Sequence, residues 1–180
     1  SLNGQHGIAM VCGQVSGGLE VIDFDNHFGD IEKVFTEYMA IDEVKAIVEK
    51  YKLPWETSQS GGYHLFYRCE LVSGSKKLAE RKNPKQDFRL STVIETKGEG
   101  GYVIVAPSKG YKVKSANPIT EAPVITAEER EILHAYARVF GESDEKKSSN
   151  PKLVKVDPGE LVSGETLPQR YNNDATDEEI

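Results

Sequence analysis

The sequence predicts an α+β fold in which a largely antiparallel, mixed sheet is flanked by helices. Three observations support this class. Short apolar runs of strand length occur in pairs that are joined by glycine-rich turns, as in hairpins. A stretch with apolar residues at three- and four-residue spacing separates the first pair from the second, and another helical stretch follows the last strand. The length of 180 residues fits one domain, or one domain with a tail.

The first predicted hairpin lies near the N-terminus. Residues 7–13 are predicted to form a buried strand that stops at a glycine, and a Ser-Gly-Gly turn leads into a second strand at 19–25. Successive side chains of a strand point to opposite faces, so Asp23 and Asp25 share one face. The apolar residues on the other face are then available for burial against helices.

Two helical stretches follow this hairpin. Apolar residues recur at helical spacing from about Phe28, and Asp42 is predicted to cap a second helix that Pro54 ends. Apolar stripes of this kind are typical of ordinary core packing, so we give them no functional weight. They comprise Ile31, Val34, Phe35, Tyr38, Met39, Val44, Ile47, Val48 and Tyr51.

A second hairpin and a further glycine turn occupy the middle of the chain. Residues 55–59 lead through a Ser-Gly-Gly turn into a strand at 63–69. Residues 75–89 are loop-like and rich in lysine. A strand at 92–96 then passes through another glycine turn into a strand at 102–108.

The C-terminal part divides into a helix and a polar segment. The last predicted helix begins at Thr126, which fits a capping box with Glu129. Beyond Gly141 the chain is polar and acidic, so we predict a folded core at 1–141 and a linker or tail at 142–180. The composition of the C-terminal end leads us to expect that the chain continues in a longer protein.

Composition and charge favour a cytoplasmic protein with an uneven charge distribution. No apolar run approaches the about 20 residues that cross a bilayer, no signal peptide opens the chain, and Cys12 and Cys69 are predicted to be buried and reduced. Residues 142–180 contribute −5 to the net charge of −7, whereas 75–89 carry +4. This positive segment can follow a phosphate backbone, although a solvated loop fits equally well. Its cations are Lys76, Lys77, Arg81, Lys82, Lys85 and Arg89.

The acid pair Asp23 and Asp25 is the centre of the predicted site. Two carboxylates on one strand face repel each other, and this costs free energy unless a cation lies between them. The pair therefore predicts half of a divalent-metal site. The alternative is that Asp23 is a polar residue at a strand end and that Asp25 caps the following helix.

Two further polar sets lie beside the other glycine turns. His64 and Arg68 stand four residues apart on one strand, hence on one face, and both can donate to phosphate oxygens. Glu95 offers a third carboxylate that can complete a two-cation cage, and Lys97 follows it. Glycine turns let the backbone approach a ligand closely because glycine has no Cβ. Taken alone, a strand histidine is more often a hydrogen-bonded structural residue.

Three motifs together resemble the primase–polymerase domain (bifunctional DNA primase/polymerase, N-terminal) of phages and plasmids, within the archaeo-eukaryotic primase superfamily. They are Gly-Gly-Leu-Glu-Val-Ile-Asp-Phe-Asp at 17–25, Ser-Gly-Gly-Tyr-His-Leu-Phe-Tyr-Arg at 60–68 and Ile-Glu-Thr-Lys-Gly-Glu-Gly-Gly-Tyr-Val-Ile-Val-Ala-Pro-Ser at 94–108. They occur in the order that the family shows. The resemblance extends over roughly residues 7–112 and implies an RRM-related catalytic core.

The resemblance also implies a reaction and its participants. The implied reaction is template-directed nucleotidyl transfer with Mg²⁺ or Mn²⁺. Two ions in the active complex would be held by Asp23, Asp25 and Glu95. The family often has Asp in the third of these positions. The implied substrates are single-stranded DNA, as template and primer, and an NTP or dNTP. The implied partner is a helicase domain in cis or in trans. The candidates for nucleic-acid contact are the six cations of residues 75–89. Candidate nucleotide-binding residues are Ser60, Gly61, Gly62, His64, Arg68, Lys97, Gly100, Gly101 and Tyr102.

Two other functions stay open from the residues alone. An Asp-x-Asp pair at a strand end also binds the metal of nucleotide-sugar glycosyltransferases, in which the Ser-Gly-Gly-Tyr-His segment has no role. A catalytically inactive replication-initiator module that binds DNA or a helicase is the other, although three carboxylates without a cation argue against it. Family members usually carry an additional segment before the strand at residue 7, and we expect its template or nucleotide contacts to be missing here.

Overall fold

A computed structural model of the chain describes residues 7–142, which form an α+β fold with antiparallel sheets, as predicted. The strands are β1 (Ile8–Val11), β2 (Leu19–Phe24), β3 (Trp55–Thr57), β4 (Tyr63–Arg68), β5 (Lys77–Asn83), β6 (Arg89–Lys97), β7 (Tyr102–Val105) and β8 (Lys112–Val113). The α-helices are α1 (Ile31–Ala40), α2 (Asp42–Tyr51) and α3 (Ala127–Arg138). The predicted tail lies outside the described residues apart from Glu142, so the domain boundary stays a prediction.

Strand β2 lies at the centre of a six-stranded sheet with the order β5-β6-β2-β4-β3-β8. The predicted pairing of β3 with β4 is confirmed, but the predicted first hairpin is wrong. Both edges of β2 are occupied by β4 and β6, so β1 pairs instead with β7 in a separate two-stranded sheet. One bridge, between Gly13 and Leu19, joins the two segments of the predicted hairpin. The ends of β1, Ile8 and Val11, are exposed rather than buried.

The two faces of β2 pack against different parts of the molecule. Ile22 and Phe24 face the helices, as predicted, and the Phe24 ring lies 5.1 Å from that of Phe35 and 5.2 Å from that of Tyr38 between centroids. On the opposite face Val21 joins a smaller cluster. That cluster includes Cys12, Leu19, Phe66, Val103 and Val105. Every residue of β2 is therefore buried, and both cysteines are buried and free.

A buried polar network ties β2 to α3. Glu20, which is fully buried, accepts hydrogen bonds from Nε and Nη2 of Arg130 at 2.6 and 2.8 Å. It also accepts one from the hydroxyl of Tyr67 at 2.6 Å, and Nε2 of His134 lies 2.8 Å from that hydroxyl. Removing both charges from water is costly unless each is fully paired. The bidentate contact with Arg130 provides that pairing and fixes the position of α3 on the sheet.

The lysine-rich segment is a hairpin rather than a loop. Residues 77–83 form the edge strand β5, which pairs with β6. Leu78 and Ala79 are buried, whereas most of the charged side chains project into solvent. Charged side chains on an edge strand oppose pairing with another chain. The composition predicted a loop here because the segment holds only two apolar side chains that anchor it.

The helix ends largely follow their capping signals. Thr126 accepts from the backbone of Glu129 at 3.2 Å and the Glu129 side chain accepts from the backbone of Thr126 at 2.9 Å, so the predicted capping box is confirmed. Asp42 is the first residue of α2 and not its cap, because Ile41 holds that position. Within residues 7–142, no helix has the length and apolar character needed to cross a membrane.

Candidate active site

Four titratable side chains form one row across four neighbouring strands. In the antiparallel register, Asp23 of β2 stands opposite Glu95 of β6 on one side and opposite His64 of β4 on the other. His64 in turn stands opposite Glu56 of β3. Directly opposed residues of an antiparallel pair lie about 4.5–5.5 Å apart at Cβ. The sheet thus brings together residues from three distant parts of the sequence.

The predicted third carboxylate joins the acid pair. Asp23, Asp25 and Glu95 each offer one oxygen, and these oxygens all lie within 4.8 Å of one another. Asp25 follows β2 directly, and its backbone N–H donates to the carbonyl of Val93 at 2.8 Å. Helix α1 begins only at Ile31, so Asp25 does not cap it. The arrangement is a compact cluster of hard oxygen ligands, the type that Mg²⁺ and Mn²⁺ prefer.

The charges in this cluster are incompletely neutralised. Burial raises the pKa of Asp25 to about 6, and the charges of Asp23 and Glu95 act in the same direction, partly offset by His27 and Lys97. The Lys97 ammonium lies 2.5 Å from Oε1 of Glu95 and 3.9 Å from Oδ2 of Asp23. A divalent cation would relieve the repulsion that remains. The three carboxylates therefore fit a divalent ion on the chemistry of the donors and on their electrostatics.

His64 is held between two carboxylates. Its Nδ1 lies 2.9 Å from Oε1 of Glu56 and its Nε2 lies 3.5 Å from Oδ1 of Asp23. The second oxygen of Glu56 accepts from the backbone N–H of Ala106 at 2.9 Å, and the Glu56 side chain is fully buried. Burial lowers the pKa of His64, but the hydrogen bonds and charges of Asp23 and Glu56 outweigh it and raise the pKa to about 9. The imidazolium is therefore the favoured form at neutral pH.

Sequence analysis missed Glu56. Its signal lies in the register of the second hairpin, because a five-residue connection between Thr57 and Tyr63 places Glu56 opposite His64. A lone acid in a three-residue strand carries no such information by itself.

An open pocket of about 420 Å³ lies beside this row. The volume is within the range of small-molecule sites. Ser58 and Tyr111, which sequence analysis also missed, contribute to its wall, and the Tyr111 ring centroid lies 6.0 Å from that of His64. The predicted residues that line the pocket are Asp23, Asp25, Ser60, His64, Lys97, Gly100, Gly101 and Tyr102.

Gly61 and Gly62 do not line the pocket, although they belong to the same turn as Ser60. A Cβ on Gly62 would lie 2.3 Å from the carbonyl oxygen of Phe24, and Gly61 has a φ of +81°. Both positions therefore require glycine for close packing and for turn geometry. Their role is to hold the turn against β2, with Ser60 at the pocket.

Arg68 points to another part of the molecule. It stands opposite Leu19, at the other end of β2 from Asp23. Four strand residues separate Leu19 from Asp23, which corresponds to about 13 Å. Its guanidinium donates to the carbonyls of Ser16 and Thr120, both at 3.3 Å, and to that of Ala122. It thus fastens the segment before α3 to β4, and we do not include it in the site.

The cations of the predicted nucleic-acid surface are spread along the β5–β6 hairpin. Arg81 donates to Oδ2 of Asp30 at 2.8 Å and to the carbonyl of Phe140 at 2.9 Å, and Lys77 contacts Glu80 at 2.9 Å. These two are engaged in local contacts. The other four cations of the set are exposed to solvent, namely Lys76, Lys82, Lys85 and Arg89.

Comparison with known families agrees with these motifs. The family model described as bifunctional DNA primase/polymerase, N-terminal (Prim-Pol) matches residues 1–125, which include the acid cluster, His64, Glu56 and the pocket. A search of curated proteins found no match.

Proposed function

The chain belongs to the Prim-Pol family of bifunctional DNA primase/polymerase N-terminal domains. We propose that its cluster of three carboxylates catalyses template-directed nucleotidyl transfer. The observation that carries this proposal is the cluster of Asp23, Asp25 and Glu95, whose oxygens lie within 4.8 Å of one another beside an open pocket.

The three carboxylates would hold one or two divalent ions, Mg²⁺ or Mn²⁺. When bound, the ions supply the positive charge that activates the primer 3′-hydroxyl and stabilises the leaving pyrophosphate. The contribution of the chain is to set the carboxylates on two adjacent strands of a buried sheet, where packing keeps them in place. Asp23 also contacts His64, so the metal and nucleotide parts of the site share one residue.

His64 and Lys97 are the groups that we assign to the triphosphate. Both are cationic, both line the pocket, and both lie against Asp23. Glu56 fixes the imidazolium ring from behind by accepting from its Nδ1, which leaves Nε2 on the side of Asp23. Charge-assisted hydrogen bonds of this kind hold a phosphate in line for attack and need no further covalent chemistry. Ser60 and the wall formed by Gly100, Gly101 and Tyr102 would complete the nucleotide site.

The substrates that we propose are a single-stranded DNA template with a primer and an NTP or dNTP. The family description supports DNA and nucleotides as substrates. The exposed cations of the β5–β6 hairpin support contact with a phosphate backbone. A helicase partner and a phage or plasmid setting rest on the resemblance alone.

Isothermal titration of a dNTP and an NTP, with and without Mn²⁺, tests the metal and nucleotide parts together. We expect metal-dependent binding to wild type and its loss in Asp23→Asn, which removes one charge without changing the size of the side chain. The matched control is Glu37→Gln, an exposed acid on α1. Because the charge of bound metal contributes several kcal/mol to the transition state, primer extension by Asp23→Asn should fall by about 1,000-fold.

Comparable extension by Asp23→Asn and wild type would refute the metal assignment. Nucleotide binding without incorporation on any primed template would instead favour the binding module. Stabilisation by sugar nucleotides but not by NTPs would favour a glycosyltransferase.

A further inference from the structure

The tip of the β5–β6 hairpin presents an aromatic side chain to solvent. Phe88 is 66% exposed, whereas the other phenylalanines among residues 7–142 are buried or partly buried. Lys85 and Arg89 flank it and are exposed as well. Residues 82–89 carry three cations and one acid, Asp87, so the ring lies in a positive environment.

The backbone at this tip is strained. Asp87 has a φ of +52° and Phe88 a φ of +58°, so two successive residues adopt the left-handed conformation. Positions with positive φ favour glycine, and after it Asn and Asp. A bulky residue with positive φ is an outlier. Strain that persists in a structure is found preferentially at functional sites.

The turn that carries Phe88 is held by its own hydrogen bonds. The Phe88 N–H donates to the carbonyl of Asn83 at 3.0 Å. The Asn83 side chain is buried, accepts from the backbone of Lys85 at 3.0 Å and donates to Oγ of Ser91 at 3.2 Å. The ring therefore projects from a turn that is already ordered, so less conformational entropy of the protein is lost when a ligand binds.

We propose that Phe88 is a stacking platform for an unpaired base of single-stranded nucleic acid, with Lys85 and Arg89 contacting the adjoining phosphates. An aromatic ring among cations is the combination that proteins use to bind single strands without sequence preference. Duplex DNA hides its base faces, so the platform selects the single-stranded form. The inference rests on the proposed function in one respect, since it takes the bound strand to be the template.

The position of the tip sets a length for the bound strand. Glu95 lies seven residues after Phe88 along the chain, and β6 begins at Arg89, so the distance between them is about 23 Å at 3.3 Å per strand residue. A stacked single strand advances about 3.4 Å per base, so about seven nucleotides cover this distance. An oligonucleotide must reach about this length before it can contact the tip and the acid cluster together.

Fluorescence anisotropy with labelled (dT)₂₀ and (rU)₂₀, without metal or nucleotide, tests the platform in the 180-residue chain. Phe88→Gly should weaken binding by about 5- to 150-fold, the range for loss of one stacked base. Because glycine relieves the strain of the left-handed backbone, the melting temperature of the Phe88→Gly variant should equal or exceed that of wild type. Leu71→Ser is the matched control, since Leu71 is 67% exposed on a different segment.

Three further variants separate stacking from apolar contact and from charge. Phe88→Trp should keep the affinity within about threefold, whereas Phe88→Leu should lose it as Phe88→Gly does, because leucine has no π face. Lys85→Gln should lower the slope of log affinity against log salt by about 0.7, and Phe88→Gly should leave that slope unchanged. If only (dT)₂₀ binds, the ligand of the platform is single-stranded DNA. If both oligonucleotides bind equally, the platform recognises the unpaired bases that DNA and RNA share.

The inference and the proposed function fail in different ways. Unchanged oligonucleotide affinity in Phe88→Gly and Phe88→Leu would overturn the stacking platform, and a fall in melting temperature for Phe88→Gly would show that the ring supports the fold. Metal-dependent dNTP binding is measured on the same preparations. Its presence in Phe88→Gly alongside weakened oligonucleotide binding supports both ideas, and its absence from wild type would overturn only the proposed function.

Discussion

Strand β2 carries acids in two contrasting environments. On its helix face, Glu20 is fully buried; burial would raise its pKa, but hydrogen bonds with His134, Arg130 and Tyr67 lower the pKa to about 2. At its end, Asp25 has a pKa raised to about 6, first by burial and then by neighbouring carboxylates. Strand β2 thus contains an acid whose charge is paired, and the residue after its end is an acid whose charge is not.

The difference separates stability from function. The ionised form of Glu20 is favoured by the fold, so its pairing with Arg130 stabilises the docked α3. The ionised form of Asp25 is disfavoured, and only an added cation removes the cost. The acid that supports the fold is satisfied within it, whereas the acid to which we assign a metal would be satisfied by that metal.

The largest effect on stability is expected from Glu20→Gln. The substitution leaves the Arg130 guanidinium buried without its counter-charge, which costs about 3–5 kcal/mol of unfolding free energy. Urea unfolding measures this loss, and nucleotide binding well below the transition should stay at the wild-type level. The double variant Glu20→Leu with Arg130→Met removes both charges and should recover much of the stability. An unfolding free energy within about 1 kcal/mol of wild type in Glu20→Gln would break the comparison.

Glu56 sharpens the comparison because it is fully buried like Glu20 but belongs to the row of the site. Glu56→Gln keeps a hydrogen-bond acceptor but removes one of the two negative charges, those of Asp23 and Glu56, that raise the pKa of His64 to about 9. Partners that orient a site residue typically contribute about 10- to 100-fold. We expect dNTP affinity to fall by about tenfold at pH 8 and much less at pH 6, where His64 is protonated in either protein. A loss that is the same at both pH values would mean that Glu56 acts on the fold and not on the charge of His64.

The smallest effect is expected in the pH dependence of metal-free stability. The folded protein binds a proton at Asp25 more tightly than the unfolded chain, since the pKa of about 6 exceeds the ordinary 3.8. The contribution of Asp25 to stability should therefore increase as the pH falls from about 6 to 4, whereas Glu20, with its pKa lowered to about 2, contributes stability that decreases as the pH falls below about 4.5. His64, with its pKa raised to about 9, adds stability that is present below pH 6.5 and is lost as the pH rises through 9.

Thermal unfolding between pH 4 and 9 measures both trends, and the trend of the partly exposed Asp25 should be of the order of 1 kcal/mol after solvent screening. Asp25→Asn should abolish the acidic trend and leave that of His64, and saturating Mn²⁺ should flatten the trend of Asp25 in wild type. If the metal-free stability of wild type and of Asp25→Asn changed in the same way between pH 6 and pH 4, that result would contradict the raised pKa.

Part of the site could be predicted because its signals are local. Alternation along one strand places Asp23 and Asp25 on the face opposite Ile22 and Phe24, whatever the strand pairs with. The glycine turns mark where strands end, and the spacing of apolar residues marks the helices. These signals depend on neighbours within a few residues, so they survive without knowledge of the sheet.

Other features could not be predicted because they depend on sheet order. Arg68 shares a strand face with His64, yet it lies at the other end of β2 and binds the segment before α3. The partner of β1 followed from the occupation of both edges of β2. The strained backbone at Phe88 and the exposure of its ring became apparent only when the lysine-rich segment was found to be a hairpin.

By itself, the sequence determined the α+β class, the acid pair and the identity of the family motifs, since these follow from periodicity and from residue type. The tertiary structure decided which groups meet. It set Glu56 behind His64, brought Glu95 opposite Asp23, and enclosed Glu20 with Arg130. The physical reason is that electrostatic and hydrogen-bond interactions act over a few ångströms, and the fold alone brings residues that are distant in sequence within that range.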